Sequence, residues 1–255
     1  MIVASCASKP TGLPKQASDR TERVKHGYLY YLDGAGGGTV DKNWAGGVRE
    51  GFFDAGYPGA GEMFSWELGE GMMADQKASV KYKRKKAGQL ADRIEKQVAA
   101  HPAAPVGLLG FSAGTAEVIF AMEDLPADVE IDTVVLLGAS ISHDYDLTEM
   151  LKRLKGKLYL YTSTHDRMVG FFMKFSGSTD RKYHDVGADI HGFVLPEGAN
   201  AETRKLYADK IVTIKWNKKF EKDGDRGHHF DNIKMEFIRD QVAPLFMGKK
   251  VPGMP

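Results

Sequence analysis

Short, nearly unbroken apolar runs alternate along the chain with longer stretches in which apolar residues return every third or fourth position. The short runs are Tyr28 to Leu32, Met63 to Glu67, Val106 to Gly110, Thr133 to Leu137, Leu158 to Thr162 and Ile211 to Trp216, each bounded by glycine or polar residues, and they read as strands. Val106 to Leu109 and Val134 to Leu137 are apolar without interruption, which suits central strands buried on both faces. Between the strands, Ala87, Leu90, Ala91, Ile94 and Val98 form one helical stripe while Asp92, Arg93 and Glu95 face water, and Pro102 closes that helix. A last helix from about Asp231 would bury Ile233, Phe237, Ile238 and Val242 and stop before Pro244. The pattern predicts an α/β fold: a mostly parallel central sheet with helices on both faces, one domain over residues 25–255, preceded by a flexible segment over residues 1–24. The stretch from Arg167 to Asp209 mixes glycine, phenylalanine and charge without a clean period, and is expected to form a small lid or pocket wall.

Composition narrows the function more than the fold. With 35 basic and 34 acidic residues the net charge is +1, so no global field draws the chain to nucleic acid. The basic run Lys81 to Lys86 is read as a solvated helix face, and no nucleic-acid partner is expected. A single cysteine, Cys6, excludes an internal disulfide and any multi-thiolate zinc site. Val3-Ala4-Ser5-Cys6 resembles the lipobox of bacterial lipoproteins, although the basic start and apolar run of a signal peptide are missing. If the lipobox is genuine, the expectation is a cell-envelope lipoprotein attached to a membrane through a lipidated Cys6; otherwise it is a cytoplasmic protein.

The 29 glycines concentrate attention on two turns. Gly110-Phe111-Ser112-Ala113-Gly114 follows an apolar strand and opens the helix-like run Thr115 to Glu123. That is the G-x-S-x-G pattern in strand-turn-helix context. A serine at so sharp a turn takes strained backbone angles, and glycines two residues before and after let strand and helix pass closely. Its hydroxyl then stands at the carboxyl edge of the sheet beside the Ala113 amide and a positive helix terminus.

At these residues the chain resembles the α/β-hydrolase superfamily, from Lys25 onward. The resemblance implies a nucleophile Ser112, an acid and a histidine, each after a later strand. Ser163-Thr164-His165-Asp166-Arg167 looks like the acid loop, with Asp166 in the acid position. Asp144 and Asp146, after an earlier strand, are the competing acids; Asp146 also suits a helix cap. Gly224 to Phe230 stands where the family places its histidine. Of two adjacent candidates, Gly-x-His-Phe in similar proteins selects His229, and a general Gly-His rule selects His228. Asp33-Gly34-Ala35-Gly36-Gly37-Gly38 matches the loop that donates the other oxyanion-hole N–H, by position Ala35 with Gly36 next. As a dinucleotide fingerprint it fails, because Thr39 or Asp41 stands where a glycine is needed.

More closely, Phe64-Ser65-Trp66-Glu67, Asp144-Tyr145-Asp146-Leu147 and Gly177-Ser178-Thr179-Asp180-Arg181 look like a group of bacterial lipoprotein-like α/β-hydrolases. The implied activity is hydrolysis of a small-molecule carboxylic ester through an acyl-enzyme, with no cofactor and no metal. Two competing readings are a catalytically silent hydrolase fold serving as a binding or surface module, and a thioesterase or peptidase using the same residues. Trp44 and Trp66 read as core or pocket-wall aromatics, and His143, His165, His184 and His191 as surface or hydrogen-bonded residues.

Overall fold

A computed structural model describes residues 19–37, 47–168, 178–180 and 187–254. Cys6, Gly38, Trp44, His184 and much of the Arg167 to Asp209 stretch lie outside the described residues.

Six strands form one sheet: β1 (Tyr28–Leu32), β2 (Ala60–Met63), β3 (Val106–Phe111), β4 (Ile131–Leu137), β5 (Leu154–Thr162) and β6 (Ile211–Lys215). Their order across the sheet is β2-β1-β3-β4-β5-β6, and every neighbouring pair is parallel. The helices are α1 (Arg20–Arg23), α2 (Val48–Asp54), α3 (Met72–Lys77), α4 (Val80–Ala100), α5 (Gly114–Asp124), α6 (Thr148–Lys152), α7 (Ala188–His191), α8 (Ala201–Lys210) and α9 (Met235–Phe237). This is an α/β arrangement, a parallel sheet sandwiched between helical layers.

The layering follows from strand alternation. Tyr28, Tyr30 and Leu32 of β1 join a cluster with Leu90 and Ile94 of α4 and Val118 and Ile119 of α5. Leu29 and Tyr31 point the other way, into a cluster with Val48 and Phe52 of α2 and Phe237, Ile238 and Val242 near the C-terminus. Every residue of β1 and β3 is buried, as an uninterrupted apolar run between two helical layers requires.

Four expectations need correction. The strand expected over Met63 to Glu67 ends at Met63; Trp66 leaves the sheet edge, is fully buried, and donates its indole N–H to Asp33 O at 2.9 Å. Lys81 to Lys86 is not wholly solvated: Lys83 is fully buried and its ammonium donates to Thr179 O at 3.3 Å. Residues 201–209, grouped with the irregular stretch, form most of α8, begun by an Asn200 side chain that accepts from Thr203 N. The C-terminal helix begins at Met235, after an extended Lys234, rather than near Asp231, and does not stop before Pro244 but runs on through a 3₁₀ segment, Ala243–Met247. Pro244 stands at the start of that last segment, where its missing N–H leaves no bond unmade.

Candidate active site

Ser112 sits between β3 and α5 with φ +51°, the single non-glycine residue with positive φ among the described residues. Its amide donates to Leu137 O on β4 at 2.9 Å, and its carbonyl accepts from Thr115 N and Thr115 Oγ1. The flanking glycines are required by contact. A β-carbon on Gly114 would lie 2.4 Å from Asp33 O, and one on Gly110 would lie 2.9 Å from Thr115 Cα. The turn is therefore locked on both sides, and an L-residue at such angles costs about 1–3 kcal/mol that the surrounding packing must offset.

The structure brings Ser112, His229 and Asp166 together. His229 Nε2 lies 2.9 Å from Ser112 Oγ, and Nδ1 lies 2.6 Å from Asp166 Oδ2. His229 and Asp166 are buried, 6% and 4% exposed, and the Phe111 ring packs against the imidazole at 4.9 Å. His228 is exposed and on the other side of the loop, lining a small recess with Asp225. Asp166 Oδ1 accepts from Met168 N, so both carboxylate oxygens have donors. Ser163 Oγ ties the two loops by donating to Gly227 O at 2.7 Å. Asp144 and Asp146 are exposed, and Asp146 Oδ1 accepts from Thr148 N and Thr148 Oγ1 at the start of α6.

The glycine loop after β1 is held by acidic side chains. Gly34 N donates to Asp33 Oδ1, which also accepts from Tyr31 OH. Gly36 N donates to Asp75 Oδ2 at 2.8 Å, and Asp75 Oδ1 accepts from Leu68 N. Gly37 N donates to Gly34 O. Among the described residues, the amides of Ala35 and Ala113 have no protein acceptor, whereas that of Gly36 is committed.

These elements surround a pocket of about 40 Å³, lined by Ala35, Met72, Phe111, Met168 and Phe230 around Ser112 and His229. Sequence reasoning missed three of the residues that shape the site. Gly138, at the end of β4, has φ +57°, and a β-carbon there would come within 2.9 Å of His229 Cε1. Its place directly after a buried strand is the signal that could have found it. Asp75 is separated from Gly36 by 39 positions, and Asp189 has no motif, so neither leaves a local trace.

Buried carboxyls crowd the region behind the histidine. Burial is the main cause that lifts Asp225 to about 6, against the Gly227 N–H that favours its charged form. Burial, then the neighbouring Asp166 charge, keeps Asp189 well above the usual carboxylate range. On α5, burial raises Glu117 to about 8 despite the opposing field of Lys83. Among the described residues no three His, Cys, Asp or Glu side chains are grouped to hold a metal ion, and no helix is long and apolar enough to cross a membrane.

No protein-family model and no curated protein matches the chain. Solved structures of similar arrangement include an acylaminoacyl peptidase from Pyrococcus horikoshii, with a TM-score of 0.47 and 12% identity over 87% of this chain. This chain spans 36% of that peptidase. An esterase domain from Rhodothermus marinus gives a TM-score of 0.45 at 11% identity, covering 87% of this chain and 85% of its own. The thioesterase domain SrfTE, which cyclises the lipopeptide antibiotic surfactin, gives 0.42 at 11% identity, covering 88% and 93%.

Proposed function

We propose that this chain is a serine hydrolase that cleaves small-molecule carboxylic esters through an acyl-enzyme on Ser112. The observation that carries the reading is the continuous hydrogen-bonded series from Ser112 Oγ through His229 to Asp166, with contacts of 2.9 and 2.6 Å, set at a strained strand-to-helix turn. Nucleophile, base and orienting acid at such spacing define activated-hydroxyl chemistry.

With Nδ1–H donating to Asp166, Nε2 of His229 accepts from the Ser112 hydroxyl. As Oγ attacks the acyl carbon, its proton passes to Nε2, and the acyl oxygen becomes an oxyanion facing the Ala35 and Ala113 amides. Each such donor is worth about 3 kcal/mol at the transition state. The imidazolium then protonates the departing alcohol, and a water, deprotonated by the same nitrogen, attacks the acyl-enzyme to release the acid and restore Ser112. Gly36 is not assigned as a donor, because its N–H serves Asp75. The apolar wall of Met72, Phe111, Met168 and Phe230 suits the hydrocarbon part of an ester.

The test is reaction with a fluorophosphonate probe together with turnover of an aryl ester. A mass increase on Ser112, and loss of turnover in Ser112→Ala, are expected. An unlabelled protein inert toward esters, or Ser112→Ala with undiminished turnover, overturns the reading.

A further inference from the structure

One polar side chain of the pocket has no part in the chemistry proposed for it. Gln76 lies on α3 one turn beyond Met72, and both line the pocket with Ser112 and His229. The helix is seated against the glycine loop. A β-carbon on Gly36 would stand 3.1 Å from Met72 Cβ and 3.2 Å from Met72 Cα, and Asp75 accepts from Gly36 N at 2.8 Å. Gln76 is therefore held in register with the Ala35 amide, and it is 8% exposed. The other polar side chains of the pocket have partners in the protein: Ser112 Oγ meets His229 Nε2 at 2.9 Å, and Ser140 Oγ meets Thr179 Oγ1 at 2.7 Å. Among the described residues the Gln76 amide has none. In a binding pocket, an enclosed polar group that the protein leaves unpaired is the kind that fixes a ligand's orientation and sets specificity.

We propose that Gln76 is the specificity-determining residue of this site, and that the acyl group it selects is short and carries a hydroxyl. The inference deepens the hydrolase reading and rests on it. The acyl part belongs in the pocket because it stays bonded to Ser112 after the alcohol has left. A pocket of about 40 Å³ holds about three water-sized groups, so the chain beyond the reacting carbon is only a few atoms long. An amide offers both N–H donors and a carbonyl acceptor, and a hydroxyl complements it whichever way the amide is turned. No Asp, Glu, Lys or Arg among the described residues lines the pocket, so nothing there offsets the charge of a carboxylate or ammonium substituent. A plain alkyl chain would cover the amide without bonding it. Met72, Phe111 and Met168 enclose the carbon skeleton, and Gln76 reads the oxygen.

The experiment measures kcat/KM of wild type and Gln76→Met on three esters with one aryl leaving group: the propanoate, 2-hydroxypropanoate and 3-hydroxypropanoate. Each value is divided by that ester's rate with hydroxide, which removes differences in intrinsic reactivity. Wild type is expected to favour one hydroxy ester over the propanoate by about tenfold or more. Gln76→Met keeps the chain length and removes the amide, so the preference is expected to collapse to within about twofold, through loss on the hydroxy ester alone. That ratio, taken within one protein, is not moved by a loosened fold. A preference intact in Gln76→Met, or a wild type that treats the three esters alike or favours the propanoate, overturns the proposal. If Gln76→Met does not fold, the wild-type ranking decides. Ser112 labelled by the fluorophosphonate probe in an enzyme indifferent to the hydroxyl defeats this proposal alone. A protein that neither takes the label nor turns over any of the three esters defeats the hydrolase reading and this proposal with it.

Discussion

Gly138 lies directly beneath His229: a β-carbon on it would stand 2.9 Å from Cε1 and 3.1 Å from Nδ1 of the imidazole. Its φ of +57° is also one that L-residues adopt at a cost of about 1–2 kcal/mol. Gly138→Ala is therefore expected to lower stability by that amount and to push the ring off Ser112 or Asp166. Displacement of a catalytic group by a fraction of an ångström to an ångström costs roughly ten- to a hundredfold in kcat. Ester kinetics beside chemical denaturation check it; a stable variant with wild-type kcat would show that the imidazole position is not critical.

Asp75 clamps the glycine loop by accepting from Gly36 N and Leu68 N while fully buried. Asp75→Ala leaves two amides without an acceptor, at about 1–3 kcal/mol for each that stays buried. With Gly36 released, Ala35 N–H loses its aim, so kcat should fall while KM changes little. Equal losses in affinity and rate would place Asp75 in substrate binding instead.

Ser112 gives up backbone comfort for its position at φ +51°. Ser112→Gly relieves the strain, about 1–3 kcal/mol, and adds the chain entropy of glycine, about 0.5–1 kcal/mol. The expected outcome is a Tm equal to or above that of wild type together with abolished turnover. A clear drop in Tm would mean that the hydroxyl stabilises the fold through its contact with His229.

Glu117 provides a pH signature of its own. Its carboxyl titrates at about 8 in the folded chain against an ordinary 4.5, chiefly because it is buried. Between those values the unfolded chain releases a proton that the folded chain keeps. The associated stability is therefore complete below about pH 4.5 and is lost as pH rises through about 8. From pH 5 to pH 8, wild type is expected to lose up to a few kcal/mol more than Glu117→Gln, at about 1.4 kcal/mol per unit. Urea unfolding at the two pH values measures the difference, and parallel losses would remove Glu117 as the source. Glu117→Gln should leave ester turnover unchanged, since the side chain takes no part in the proposed chemistry.

Much of the architecture is legible in local pattern because a strand buried on both faces must be apolar throughout. Val106 to Leu109 and Val134 to Leu137 have that form, and they are the neighbouring central strands β3 and β4. The edge strand β2 escapes the pattern because Ala60-Gly61-Glu62-Met63 has little apolar content, while the more hydrophobic Phe64 and Trp66 that follow it pack in the cluster that holds α4. Lys83 misled for a related reason. A basic run is normally solvated, and only the fold reveals that the Thr179 carbonyl is brought to meet one of its members.

For the site, the glycine-flanked turn made Ser112 and Ala113 candidates, and the resemblance to the α/β-hydrolases added Ala35, Asp166 and a histidine pair. The turn depends on short-range backbone geometry: which turn can be formed, and which residues it leaves at a strand's end. Choosing His229 as the ring that touches Ser112, committing Gly36 to Asp75, and setting Gly138 against the imidazole required the folded chain. Each is a through-space contact between segments tens of residues apart, whose approach is governed by sheet order and packing and leaves no periodic mark in the sequence.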